Sequence, residues 1–293
     1  MVGILDKIKN GETIISDGAT GTYLQGKGLE PGGCPEALNV TMPNVIKGMA
    51  EAYFNAGSDM VMTNSFGGNQ FMLNKYGYGN KVYEFNKSAA EHARSVAPSG
   101  KYVMGSVGPT GEFVEPLGSV SREQMESAFH EQITGLKDGG VDGVVIETMT
   151  SLEEAELAIH AAKAITGLVV MATMTFDKGP RGYFTMMGVT PEQAASKLKT
   201  AGADILGSNC GNGILNMIDI AVQLRAVTDN HLLIHSNAGI PEIRKGQIVY
   251  PETPEWMAGK LLSLVEGGVN IVGGCCGTTP AHIKAFKNLI AMA

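Results

Sequence analysis

At 293 residues and 44% hydrophobic, the chain is long enough to bury a sizeable core as one large α/β domain or two smaller ones. Its net charge of −7 and the lack of any basic run argue against a nucleic-acid binder. Residues 1–10 (MVGILDKIKN) lack the apolar core of a signal peptide, and no apolar stretch approaches the roughly 18 to 20 residues that span a bilayer, so no membrane segment and a soluble, cytoplasmic protein are expected.

From one end to the other, short apolar runs rich in Val, Ile and Met alternate with longer helix-patterned segments, which points to βα units and a parallel sheet. Strands are expected over 13–19, 59–66, 102–107, 142–148, 168–176, 204–210, 232–237 and 270–274. The helix candidates between them include SREQMESAFHEQITGLKDGG, SLEEAELAIHAAKAI, TPEQAASKLKTAG and TPEWMAGKLLSLVEGG. Each opens on Ser or Thr with Glu in the first turn, as an N-cap with a favourable dipole charge should. A weak repeat, NAGSDMVMTNSFGG, DGGVDGVVIETMTS, TAGADILGSNCGNG and EGGVNIVGGCCGTT, falls on the second, fourth, sixth and eighth strands. An open doubly wound sheet could produce this locally, but eight units without a linker favour a closed (β/α)8 barrel, one domain over 1–293. The longer connections, 26–42, 67–80, 110–120 and 177–189, then lie on the C-terminal face, where barrel enzymes keep their chemistry.

On this layout three of the four cysteines acquire positions. Cys210 ends the sixth strand (ILGSNCG), and Cys275 with Cys276 ends the eighth (IVGGCCG), so three sulfurs can converge at one mouth. Neighbours in a regular strand point to opposite faces, and the adjacent pair can aim inward together only if the backbone leaves strand geometry, which Gly273, Gly274 and Gly277 permit. Three thiolates at one rim suit a catalytic zinc site with an exchangeable fourth position. Buried cytoplasmic cysteines are also common as small apolar residues, and no CxxC or HExxH pattern decides between the two. Cys34, in the loop PGGCPEALN, lies away from any strand end and reads as a non-ligand. Asp17 ends the first strand and Glu147 the fourth, so both carboxylates can face the pocket and hold an ammonium group; each reads equally as a helix N-terminal charge or a loop ion pair. The sixteen methionines are scattered and read as core filler, and no phosphate-binding glycine loop is present.

DGATGT at 17–22, TNSFGGN at 63–69, GSVGPTG at 105–111, GSNCG at 207–211, HSNAG at 235–239 and GGCCGTTPAHI at 273–283 together resemble the zinc-dependent homocysteine S-methyltransferase family, in order and over nearly the whole chain. The wording is closest to the homocysteine-binding domain of cobalamin-dependent methionine synthase. The resemblance implies Zn2+ held by Cys210, Cys275 and Cys276, with the fourth position open to the sulfur of homocysteine, which becomes methionine. It implies Asn237, of HSNAG, as the resting fourth ligand, although the residue alone reads as a turn-stabilising Asn. His235, two positions earlier, reads as a packed, hydrogen-bonded histidine. Asp17 and Glu147 are implied to hold the substrate ammonium. The backbone N–H groups of Gly18, Ala19 and Thr20 suit its carboxylate, and Asn209 is a further pocket candidate.

The implied donor is methylcobalamin on a separate corrinoid protein or on further methionine synthase modules, because the sequence ends about ten residues after GTTPAHI. S-methylmethionine or betaine as donor, or another thiol as acceptor, are the alternatives within the chemistry. A non-catalytic barrel with a structural zinc is the alternative outside it.

Overall fold

The computed structural model describes residues 3–165, 167–244 and 247–292, so the outermost residues of the expected 1–293 domain, 1, 2 and 293, lie outside the described residues. Eight parallel strands make the central sheet: β1 (Ile14–Ile15), β2 (Met60–Met62), β3 (Tyr102–Val107), β4 (Gly143–Met149), β5 (Val169–Met174), β6 (Ile205–Asn209), β7 (His231–Ser236) and β8 (Ile271–Gly274). Helices α1 (Pro43–Ala56), α2 (Val82–Val96), α3 (Arg122–Asp138), α4 (Leu152–Ala164), α5 (Pro191–Ala201), α6 (Ile214–Arg225), α7 (Pro254–Glu266) and α8 (Pro280–Ile290) follow them one for one. The ladder runs β1-β8-β7-β6-β5-β4-β3-β2 and is a nearly closed (β/α)8 barrel, in agreement with the sequence.

The strands are apolar on both faces, as a sheet wrapped by helices requires. Ile14, Met60, Met62, Tyr102, Met104, Val145, Met171 and Ile205 point into the barrel. Alternate positions, among them Ile15, Val61, Val103, Val144, Val170 and Leu206, pack outward against the helices. Four of the methionines are thus core filler inside the barrel. Ile4 and Ile8, from a short helix Ile4–Lys9, join the same interior cluster at the amino end of the strands.

β1 and β2 are much shorter than the expected 13–19 and 59–66 because side chains take over where the ladder stops. Between them lies the seam of the barrel. Asp59 donates its backbone N–H to Ile15 O at 2.6 Å and accepts from Ile15 N through its carboxylate at 3.1 Å. Further up the seam, Met62 N donates to Asp17 Oδ2 at 2.7 Å. Four expected N-caps are in place: Ser121, Ser151, Thr190 and Thr253 each accept a backbone N–H three residues on. Glu154, in the first turn of α4, is more than a dipole charge: it is buried and accepts both N–H and O–H from Thr110, tying down the loop after β3. Two hairpin loops, Asp177–Gly179 against Gly182–Phe184 after β5 and Glu242–Arg244 against Gln247–Val249 after β7, extend from the barrel, and the second has no counterpart in the sequence reading. No helix among the described residues is long and apolar enough to cross a membrane.

Candidate functional site

The cysteine cluster forms where β6 and β8 end beside β7. Cys210 N donates to His235 O at 3.1 Å and Cys275 N to Ser236 O at 2.7 Å, so both turns are anchored to the same neighbouring strand. The three sulfurs lie within 4.8 Å of one another, and Cys210 and Cys276 approach to 3.9 Å.

The glycines act differently from the expectation. Gly273 and Gly274 stay in the ladder, paired with His235 and Ser236, and only Gly277 has positive φ, at 81°. A Cβ on Gly273 would lie 2.7 Å from Ser16 Cβ, and one on Gly274 would lie 2.1 Å from Thr278 Oγ1. These two positions are glycine for close approach rather than for a turn. The turn on the other strand is made by Cys210 itself, which sits at φ 60°, a conformation that disfavours any residue with a Cβ.

The donor set fits zinc. Tetrahedral coordination at a Zn–S distance near 2.3 Å places sulfurs about 3.8 Å apart; Cys210 and Cys276 are already at that spacing, and Cys275 lies within 4.8 Å of both. Hydrogen bonds from Cys275 and Cys276 hold the Cys210 thiol far below the usual thiol range, while the other two are pushed up by their hydrogen bonds to it and by burial. The trio therefore shares its protons unevenly before any metal displaces them. Asn237 is 4% exposed, its side chain hydrogen-bonds Cys210, and its Oδ1 finds no partner among the described residues. That oxygen is a buried acceptor left unmatched next to Cys210. His235 is outside the cluster. Burial lowers it to about pKa 4, so it is neutral, and its Nε2 has no partner among the described residues, contrary to the expected hydrogen-bonded packing.

Below the sulfurs opens a cavity of ≈ 260 Å³, lined by the three cysteines together with Asp17, Glu147 and the turn 18–22. Asp17 accepts from Met62 N and from Ser16 Oγ at 3.2 Å. Glu147 accepts from Ser106 Oγ and, at 3.2 Å, from Asn209 Nδ2. Neither has a cationic partner among the described residues, and burial raises both carboxyls to about pKa 7. Two such carboxylates facing one cavity favour a ligand that brings its own positive charge.

Gly18, Ala19 and Thr20 also line the cavity, but the N–H of Ala19 already donates to Thr278 Oγ1 at 3.1 Å, contrary to its expected place among donors to a ligand. Asn209 is fully buried behind the lining. Its Oδ1 accepts from Thr148 N and Thr173 Oγ1, both at 2.7 Å, and its Nδ2 reaches Glu147 and Thr148 Oγ1. It orients Glu147, pairs with Thr148 at φ 62°, and brings its Nδ2 to 4.0 Å from Cys275 Sγ.

Sequence reasoning missed Glu36, a third buried carboxylate on the cavity wall, which accepts Gly67 N at 2.7 Å and the Cys34 thiol at 3.4 Å. Cys34 is thereby a non-ligand, its thiol pushed up to about pKa 11 by burial and by Glu36. The only local signal was its place beside Glu36 in the loop CPEALN. Tyr250 was also missed; its ring seats on Gly277, where a Cβ would lie 2.0 Å from Cγ.

The family model described as homocysteine S-methyltransferase matches residues 14–290. The methionine synthase of Mycobacterium tuberculosis is 32% identical over 298 residues, covering 95% of this chain and 24% of the relative. The chain thus spans about a quarter of the length of that protein. Betaine–homocysteine S-methyltransferase 1 of Danio rerio is 30% identical over 307 residues, covering 97% of this chain and 74% of the relative. Among solved structures, the metallated form of the homocysteine methyltransferase MmuM from Escherichia coli superposes with a TM-score of 0.81 at 21% identity, over 98% of this chain and 99% of that one, a likeness of fold.

Proposed function

The chain belongs to the homocysteine S-methyltransferase family, and we propose that it transfers a methyl group to the sulfur of homocysteine, giving methionine, at a zinc centre. The observation that carries this reading is one cavity that joins a three-cysteine cluster to Asp17 and Glu147, buried carboxylates with no cationic partner among the described residues. Cys210, Cys275 and Cys276 would hold the zinc, with Asn237 at the fourth position until the substrate sulfur displaces it. Zinc would supply a substrate thiolate at neutral pH, where a free thiol of pKa near 8.5 is only about 3% ionised.

The chain's own residues do the rest. Asp17 and Glu147 take the substrate ammonium, and the N–H groups of Gly18 and Thr20 take its carboxylate, so the sulfur end is directed toward the cysteines. The sulfur then attacks the methyl carbon in line: the S–C bond forms as the donor–carbon bond breaks, and neither a serine nucleophile nor an oxyanion hole is needed.

For the donor we favour a methyl-corrinoid, methylcobalamin carried on a separate protein or module. Exposed apolar side chains stand on loops leaving the carboxyl ends of the strands: Phe66, Phe113, Leu117, Met186, Ile243 and Ile248. Such a rim suits a large partner. A small donor, betaine or S-methylmethionine, is the second reading, favoured by the high mutual coverage with the Danio rerio enzyme. Incubating the zinc-loaded protein with homocysteine and, separately, methylcobalamin, S-methylmethionine and betaine distinguishes them. Methionine is expected with methylcobalamin; activity with none of the three would reject homocysteine methylation by these donors.

The carboxyl pair also fixes a pH dependence. An ammonium group binds the ionised carboxyls, and in the free protein these ionise only near pH 7. Affinity for norvaline, a sulfur-free isostere of homocysteine, should therefore rise with pH, about tenfold between pH 6 and pH 8 for each carboxyl that must ionise. Calorimetry across that range measures it, and a flat profile would contradict the ammonium assignment.

A further inference from the structure

Thr278 lies in the turn after β8, two residues beyond Cys276, and is 1% exposed. Its hydroxyl donates to Cys275 O at 2.7 Å and accepts from Ala19 N at 3.1 Å, a contact between residues 259 positions apart. The hydroxyl therefore forms one link of a continuous chain, Ala19 N–H to Thr278 Oγ1–H to the Cys275 carbonyl, whose two bonds polarise each other. No other residue fits around it. A Cβ on Gly18 would lie 2.6 Å from Thr278 Oγ1 and one on Gly274 would lie 2.1 Å from it. On its far side the Ala19 carbonyl accepts from Tyr53 Oη at 2.9 Å, and Thr22 Oγ1 accepts from Gly277 N at 3.2 Å. The peptide units of the turn 18–20 are thus oriented by the segment that carries two of the three cysteines.

We infer that Thr278 is a positioning residue: its hydroxyl locks the turn 18–20 to the Cys275–Cys276 turn, so that amino-acid binding and metal retention are coupled through it. The inference rests on the functional reading above and adds a specific relay to it. A ligand that fills the amino-acid part of the cavity stiffens the turn 18–20, and through Thr278 this stiffens the cysteine turn. By linkage the effect is reciprocal.

Norvaline separates this relay from direct contact with the metal, since it has no sulfur. In the zinc-loaded wild-type protein, saturating norvaline is expected to slow zinc release to a chelator about fivefold, at the low end of allosteric couplings. Thr278→Val, which keeps the volume and removes both hydrogen bonds, is expected to raise the norvaline Kd about tenfold. At equal occupancy by norvaline it is also expected to abolish the slowing. Thr278→Ser restores both, and Thr278→Ala replaces the valine variant if that one does not fold. An unchanged Kd in the hydroxyl-free variant, slowing that persists in it, or failure of serine to rescue would overturn the inference. Absence of any homocysteine or norvaline binding by the wild-type protein would instead overturn the functional reading, and this inference with it.

Discussion

Replacing Cys210 with alanine or glycine is expected to reduce bound zinc from about one per chain to below one tenth, and methyl transfer by about a thousandfold or more. Two cysteines and an amide oxygen leave the metal with neither the charge nor the geometry of the intact site. The two variants should then separate in stability. Cys210 sits at φ 60° with its N–H bonded to His235 O, so any side chain there bears left-handed strain. Alanine keeps that strain and glycine removes it. The metal-free glycine variant is expected to be the more stable of the two by about 1 kcal/mol, less whatever glycine loses in unfolded-state freedom. Metal analysis and thermal unfolding of the pair read both effects. Unchanged zinc in either variant would remove Cys210 from the ligand set, and an alanine variant more stable than the glycine one would remove the strain.

That strain shows where the sequence stopped being readable. The barrel was legible because eight apolar runs declare strands locally and Ser or Thr caps such as Ser121 and Thr190 open the helices between them. Placing Cys210, Cys275 and Cys276 at strand ends then brought them to one mouth, as the structure does. The geometry that joins them was misassigned, because a glycine in sequence signals freedom of φ and lack of a side chain alike. Gly274 is glycine for the second reason, to admit Thr278 Oγ1, and only the folded chain distinguishes the two. Asn209 adjoins Cys210 and shares the inward face of its strand with Ile205, yet it is fully buried and its amide is taken up by Thr148, Thr173 and Glu147. Thr278 and Ala19 meet across almost the whole chain, a pairing that no local pattern encodes. The seam has the same origin: the Asp17 carbonyl stays bonded to Gly274 N on one side while its carboxylate accepts Met62 N on the other.

Asp17 consequently has two tasks, and two substitutions divide them. Asp17→Ala removes the acceptor of Met62 N, a buried group at the one gap in the barrel ladder, and leaving that N–H unpaired costs about 1–3 kcal/mol. On a chain of this size that lowers Tm by roughly 2–5 °C. Asp17→Asn keeps an acceptor oxygen for Met62 while removing the charge, so its Tm should stay within about 2 °C of wild type. For substrate the order changes. Both variants lose the buried anion that faces the ammonium, and both should raise the homocysteine KM about a hundredfold, the size of a charge-assisted hydrogen bond removed from a dry site. Zinc content should stay near one per chain in each. Asn at this position also fixes the neutral state that Asp17 adopts at low pH, so Asp17→Asn should remove about one tenfold step from the rise in norvaline affinity between pH 6 and pH 8. Steady-state kinetics, metal analysis and calorimetry on the two variants decide the matter. A KM unmoved by Asp17→Asn would leave Asp17 as a clasp of the barrel seam alone, and zinc loss matching the KM rise would make it a support of the metal turn, reached through the bond from Gly274 N to Asp17 O at 2.8 Å.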